Sequence, residues 1–305
     1  MQLSGQLLSS RGALFPALQA LDLPPTAVRR AWAAVRYGAW QIAELLTAWN
    51  AYVHQQGLWQ PARSGGYVPL AVDLTAYWRP RLQGWLSKHF HSLAGKARPA
   101  VVLGMIARVG RVHGQRVALL TQLIRSDPQE PSETALSTAV LDHVADTVAD
   151  DEMPVFDAGF KIAQLQAAGL PRYLVRLAKN FTARRNVLPA STGWGRPLEY
   201  GERVRPLPRC HKKRRLSATP PDRVETWSEH GLLFRAEFWD DLVLPDVKVH
   251  PDHPTFTVGA LYDPRFSEPW LLACPLRLSG KVLRHLYRDR WPIEQIPLAG
   301  KQMLG

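Results

Sequence analysis

An α/β fold class is what this sequence predicts: a mixed sheet with flanking helices, an N-terminal helical region, and a β-rich insertion late in the chain. Three observations lead there. Apolar residues between positions 28 and 53 recur at steps of four and three, the period of a helix face. From residue 67 the period changes, and short runs rich in Val, Leu and Ile alternate with helical stretches. Past residue 180 that alternation stops and strand-like runs succeed one another.

Taken in order, the first 22 residues hold an apolar stretch, ALFPALQALDL, closed by Pro24-Pro25. Thr26 is placed to cap a helix. Val28, Trp32, Val35, Ala39, Ile42, Leu46, Trp49 and Val53 form one seam of roughly four turns or more. Gly38 weakens it by about 1 kcal/mol relative to Ala without breaking it. Such a helix serves either as the core of a small helical domain or as a DNA-contacting or subunit-pairing element. Arg29, Arg30 and Arg36 lie off the seam and fit both uses.

Residues 60–66, with Pro61, Gly65 and Gly66, form a linker by composition, and 67–75 reads as a buried strand ending at Asp73. Runs at 100–108 and 116–124 are joined by GRVHGQ, whose glycines suit a turn, so they pair as antiparallel strands. Residues 132–149 repeat apolar side chains every four positions and predict a helix. A strand at 154–156, a helix at 160–168 stopped by Gly169, and a strand at 172–177 complete a crossover unit with parallel strands. Asp73 falls on the first strand and Asp157 just after the fourth. Further strands are predicted at 232–239, 255–261 and 270–276. The resulting division is 1–60 helical, 67–180 first part of the core, 181–268 β-rich basic insertion, and 269–305 last strand and C-terminal helix.

Composition narrows the partners. The 305 residues carry a formal charge of +12 and a pI near 10.0, which point to a polyanion, nucleic acid first. Residues 201–223 hold eight Lys or Arg, among them Lys212, Lys213, Arg214 and Arg215, against two acids. This run is either a solvated surface loop or a contact to the DNA backbone that orders on binding. Two cysteines give neither a disulfide framework nor a zinc pattern and suit a reducing cytosol. No apolar stretch reaches about 18 residues, so no membrane span is expected.

The chain's most informative pattern is LYRDRWPIEQIPLAGKQMLG, where Tyr287, Arg290, Glu294 and Lys301 follow at spacings of three, four and seven. On a helix these steps return to nearly one face, setting a carboxylate between fixed cations and a phenol. Taken singly, Arg290 and Glu294 read equally well as a surface ion pair worth about 0.3–0.5 kcal/mol.

The spacing Y-x2-R-x3-E-x6-K, with Asp73 in PLAVDLTAYWRP and Asp157 in MPVFDAGF ahead of it, resembles the signature of the DDE transposases of bacterial insertion sequences. The resemblance runs from about residue 68 to 301. It implies a ribonuclease-H-like core with Asp73, Asp157 and Glu294 as catalytic carboxylates holding two Mg²⁺ (or Mn²⁺) ions, Asp73 being shared. It implies that Arg290 and Lys301 clamp phosphates, with Tyr287 beside them and Arg176 as a further candidate. The implied activity is metal-dependent cleavage of double-stranded DNA at transposon ends and strand transfer to a target, by a homodimer on DNA in the bacterial cytoplasm and nucleoid. The alternative is a shortened, inactive protein that occupies transposon ends, since the sequence stops four residues after Lys301. A nuclease acting on other nucleic acids is a third reading. Two prolines bear on the helix: Pro292 can begin one, while Pro297 is expected to kink or split it.

Overall fold

The structure is a computed structural model and describes residues 14–78, 87–127, 129, 132–190, 198–212 and 214–298. It opens with three helices, α1 (Leu14–Gln19), α2 (Pro25–Tyr37) and α3 (Ile42–Gln55). The single helix expected over 28–53 is therefore two. Gly38 is extended (φ −65°, ψ 144°) and ends α2. Val28 and Leu46 are buried, whereas Val35, Ile42 and Trp49 on the same seam are exposed. No continuous apolar surface holds the halves in line, so the weak point at Gly38 breaks. Thr26 does not cap α2: the helix starts at Pro25, whose fixed φ suits the first position, with Pro24 before it.

The core strands are β1 (Gln60–Pro61), β2 (Val68–Trp78), β3 (Lys88–His91), β4 (Lys96–Val112), β5 (Gln115–Arg125), β6 (Glu152–Phe156) and β7 (Leu174–Arg176). Helix α4 (Glu133–Thr147) precedes β6 and α5 (Ile162–Ala167) precedes β7. The expected linker is partly strand, because β1 pairs with β4. Strand β2 does not stop at Asp73; it runs on to Trp78 because β4 pairs with it throughout, Asp73 opposite Met105. The order across the sheet is β5-β4-β2-β6-β7, with β2, β4 and β5 antiparallel and β6 and β7 parallel to β2.

The β-rich region continues the same sheet. It comprises β8 (Ala183–Arg185), β9 (Arg203–Val204), β10 (Arg209–His211), β11 (Arg214–Leu216), β12 (Arg223–Glu229), β13 (Leu232–Val243) and β14 (Phe256–Tyr262), followed by β15 (Trp270–Cys274). β15 docks antiparallel on β7, and β14, β13, β8 and β9 extend outward. Only β10 and β11 stand apart, as a two-stranded hairpin.

Period-two alternation divides the strands between two faces. Leu70, Val72, Phe156, Val175, Leu271 and Ala273 pack with Leu136, Val140 and Val144 of α4 and with Leu165 of α5. Ala71, Val155, Leu174 and Leu272 face the other way, toward Leu283, Leu286 and Tyr287 of α6 (Gly280–Asp289) and toward Ile293. Asp73 shares the parity of Ala71 and lies on the α6 face. After α6 comes a 3₁₀ turn, Trp291–Glu294, and then helical residues 295–298. The C-terminal helix is thus interrupted as expected, but at Pro292 rather than Pro297. Pro297 stands in the first turn of the new segment, where its missing N–H costs no bond. Among the described residues no helix is long and apolar enough to cross a membrane.

Candidate active site

Three parallel strands present one row of polar side chains. Val72 pairs with Phe156, and Phe156 with Val175. The next residue on each strand is Asp73, Asp157 and Arg176. Parallel register therefore sets the two carboxylates side by side at the carboxyl edge of β6, with Arg176 beyond them.

Helix α6 crosses this row. Ser279 caps it by accepting from the Val282 amide at 3.4 Å, and Leu283, Leu286 and Tyr287 anchor it to the sheet. Tyr287 is fully buried; its hydroxyl donates to Asp157 Oδ1 at 3.2 Å and accepts from Arg176 Nη1 at 3.4 Å. Arg290 at the end of α6 reaches all three carboxylates. Nη2 donates to Glu294 Oε1 at 2.6 Å and lies 3.8 Å from Asp157 Oδ2, and Nη1 lies 3.6 Å from Asp73 Oδ2. The α-helix has ended before Glu294, and it is the ion pair itself that holds this side chain on the side of Arg290 across the 3₁₀ turn.

Burial and charge set the electrostatics. The Asp73 carboxyl is pushed up to about 6, first by burial, with Arg290 opposing and the charges of Asp157 and Glu294 adding. Burial raises the Tyr287 hydroxyl, and Asp157 adds to it. Burial disfavours the Arg290 charge, but Asp157, Asp73, Tyr287 and Glu294 outweigh that and hold it above the ordinary range. The Arg290 head is nonetheless underused: Nε and Nη1 are buried without a hydrogen-bond partner.

As they stand, Asp73, Asp157 and Glu294 surround a guanidinium. Among the described residues no group of three or more His, Cys, Asp or Glu is arranged to hold a metal ion. The donor set is nevertheless all hard carboxylate oxygen converging on one cation, the chemistry that suits Mg²⁺ or Mn²⁺. The site fits such ions in donor type, provided Arg290 yields its place.

The remaining candidates are scattered. Lys301 and Lys213 lie outside the described residues. Lys212, Arg214 and Arg215 are exposed on the β10–β11 hairpin. Elsewhere in the basic run, Arg209 donates to the Asn180 carbonyl, and Arg223 is bound by Glu225 and Asp240 with its guanidinium 3.5 Å from the Phe238 ring. These two are structural.

A supporting network carried no sequence signal. Arg284 of α6 is buried between Asp263 (3.2 Å) and Glu229 (2.8 Å), and its guanidinium lies 4.1 Å from the Phe234 ring. Arg265 also binds Asp263, and His285 binds Glu229 at 2.8 Å. The partners are 21 and 55 residues from Arg284, beyond any local pattern. They fix the pitch of α6 and hence the placement of Tyr287 and Arg290. Comparison of the chain with protein-family models, with curated proteins and with solved structures finds no match.

Proposed function

We propose that the protein is a metal-dependent DNA transposase of the DDE type, with a ribonuclease-H-like core. One observation carries this reading. Asp73, Asp157, Arg176, Tyr287, Arg290 and Glu294, drawn from four distant segments, meet where the carboxyl ends of β6 and β7 lie beside the middle of β2. The strand order, three antiparallel strands then two parallel ones, is the order expected of a ribonuclease-H-like core and supports the same reading.

In this reading Asp73, Asp157 and Glu294 hold two Mg²⁺ or Mn²⁺ ions. The chemistry such ions supply when bound is activation of the attacking oxygen and stabilisation of the leaving one in an in-line displacement at phosphorus. Tyr287 orients Asp157. Arg290 offers its unbonded Nε and Nη1 to the substrate phosphate. The substrate is double-stranded DNA at the ends of the mobile element and then a target duplex, engaged by a homodimer at the nucleoid.

The test is cleavage of labelled DNA carrying the sequences that flank the gene, in Mg²⁺ or Mn²⁺. The parent protein is expected to cut at the element end and Asp157→Asn to leave the DNA intact. Equal cutting by both would refute the assignment. A second reading is a DNA-binding protein without catalysis, favoured by the position of Arg290 among the carboxylates. Retention of the same DNA in EDTA, with no product in either metal, would select it.

A further inference from the structure

Strands β4 and β5 end in a two-residue turn, His113-Gly114, with both φ positive (49° and 77°), the pattern that locks hairpin register. That register sets Arg111 directly opposite Arg116. Like charges facing each other across a ladder destabilise it, and nothing on the sheet relieves the pair. Helix α6 then brings a third guanidinium. Arg116 Nη1 donates to the Arg288 carbonyl at 2.7 Å, which draws Arg288 against the hairpin.

Among the described residues two carboxylates line this junction: Asp289, buried and 3.7 Å from Arg116, and Glu229, which is already bound by Arg284 and His285, so the three guanidiniums outnumber the one carboxylate left to them. Arg111 is exposed and makes no hydrogen bond or ion pair among the described residues. Arg288 has none through its side chain, and burial together with Arg116, Arg284 and Arg265 lowers its affinity for a proton. On either side of Arg111 and Arg116 lie two clefts, of about 410 Å³ and about 230 Å³. The larger is walled by Trp291, Pro292 and Gln295 and the smaller by Glu229, His285, Arg288 and Asp289; Arg111 and Arg116 line both and join them into one groove.

We propose that this groove, built on Arg111, Arg116 and Arg288, binds the phosphate backbone of duplex DNA on its way to the carboxylate site. It rests on the transposase reading above and gives that reading a second, separate contact. The charge surplus matches the polyanion, and residues 288–290 run from the groove directly to Arg290. Asp73 faces Met105, and Arg111 is six residues further along β4. At about 3.3 Å per residue this is roughly 20 Å, or about six nucleotide steps at 3.4 Å each. The contacted phosphates therefore lie about six nucleotides from the bond held at Asp73.

The experiment is fluorescence anisotropy of a labelled duplex between 50 and 200 mM NaCl, in EDTA so that no cleavage occurs. Arg111→Gln breaks no bond and should lower the slope of log affinity against log salt by about 1. Arg111→Gln with Arg116→Gln should lower it by about 2 and weaken binding roughly tenfold in mid-range salt. Arg277→Gln, on an exposed pair with Asp241 elsewhere, should leave the slope at the parent value. An unchanged slope in both hairpin variants overturns this inference and leaves the transposase reading standing. Absence of duplex binding by the parent overturns both. Tighter binding of single-stranded RNA than of the duplex also overturns it.

Discussion

Replacing Asp73 by Asn is expected to stabilise the metal-free protein while abolishing the proposed activity. The carboxyl is pushed from 3.8 to about 6, chiefly by burial. A shift of about 2 units is worth about 3 kcal/mol at roughly 1.4 kcal/mol per unit. With 22% of the side chain still reaching solvent, about 2 kcal/mol is the expected net gain. The sign follows from linkage. An acid whose folded pKa is raised favours the folded state most below its unfolded value, and the folded state loses ground as pH climbs through 3.8 to 6. Asparagine carries no such penalty. The variant should match the parent near pH 4 and exceed it increasingly up to about pH 7. Arg290 keeps Glu294 and Asp157 as partners, so no buried charge is stranded. Urea unfolding in EDTA at pH 4.5 and 7.5 measures the difference. A variant less stable than the parent at pH 7.5, or a gap constant across pH, would overturn the electrostatic account.

Four further outcomes follow from the packing and the charges. Arg284→Met leaves Glu229 without its buried partner and should cost about 3 kcal/mol in denaturant unfolding. Burial raises the Asp263 carboxyl, but its bonds to Arg265 and Arg284 outweigh that and hold it at about 2; the stability it contributes is complete above its ordinary value of 3.8 and should vanish as pH falls through about 2, read from an acid titration of Asp263→Asn against the parent. Gly104 lies under α4, where an added Cβ would meet Val140 Cγ2 at 2.2 Å. Gly104→Ala should therefore destabilise by about 1–3 kcal/mol, with partial recovery in the double variant with Val140→Ala. Tyr287→Phe removes the bonds to Asp157 and Arg176; it should change stability by about 1 kcal/mol or less but slow cleavage of labelled DNA at least tenfold, and unchanged cleavage would show that Asp157 needs no such orientation.

What the sequence made legible was whatever a short-range pattern encodes. The β4–β5 hairpin was readable because two apolar runs flank a Gly-containing turn. The parallel pairing of β6 with β7 followed from the crossover length, whereas the adjacency of β2 and β6, and with it the meeting of Asp73 and Asp157, was implied only by the family resemblance. Arg290 and Glu294 still meet because their side chains close a 2.6 Å ion pair across the 3₁₀ turn, although a three-residue period does not itself put residues four apart on one face. Misreadings arose where tertiary contacts override local preference. Gly38 ends a helix because the seam on either side of it, Val35 and Ile42, is exposed and no packing holds the two halves in line. The strand through Asp73 is prolonged by β4, a partner some thirty residues on. Arg284, Asp263 and Glu229 leave no trace in one dimension, since a buried ion triad looks like scattered surface charge until the strands are placed.

Arg290 draws these strands of argument together. A fully buried guanidinium is costly unless its donors are satisfied, yet two of its nitrogens are unbonded and two of its three ion pairs are long. Packing alone does not account for such a group, because a hydrophobic side chain would fill the space at less cost. What the arrangement does achieve is charge balance: three carboxylates this close would repel one another without a cation between them. Arg290 supplies that cation while retaining unused donors for an incoming anion. The free protein thereby keeps its carboxylates assembled in the absence of substrate, and it does so through the one side chain whose remaining hydrogen bonds a phosphate would complete.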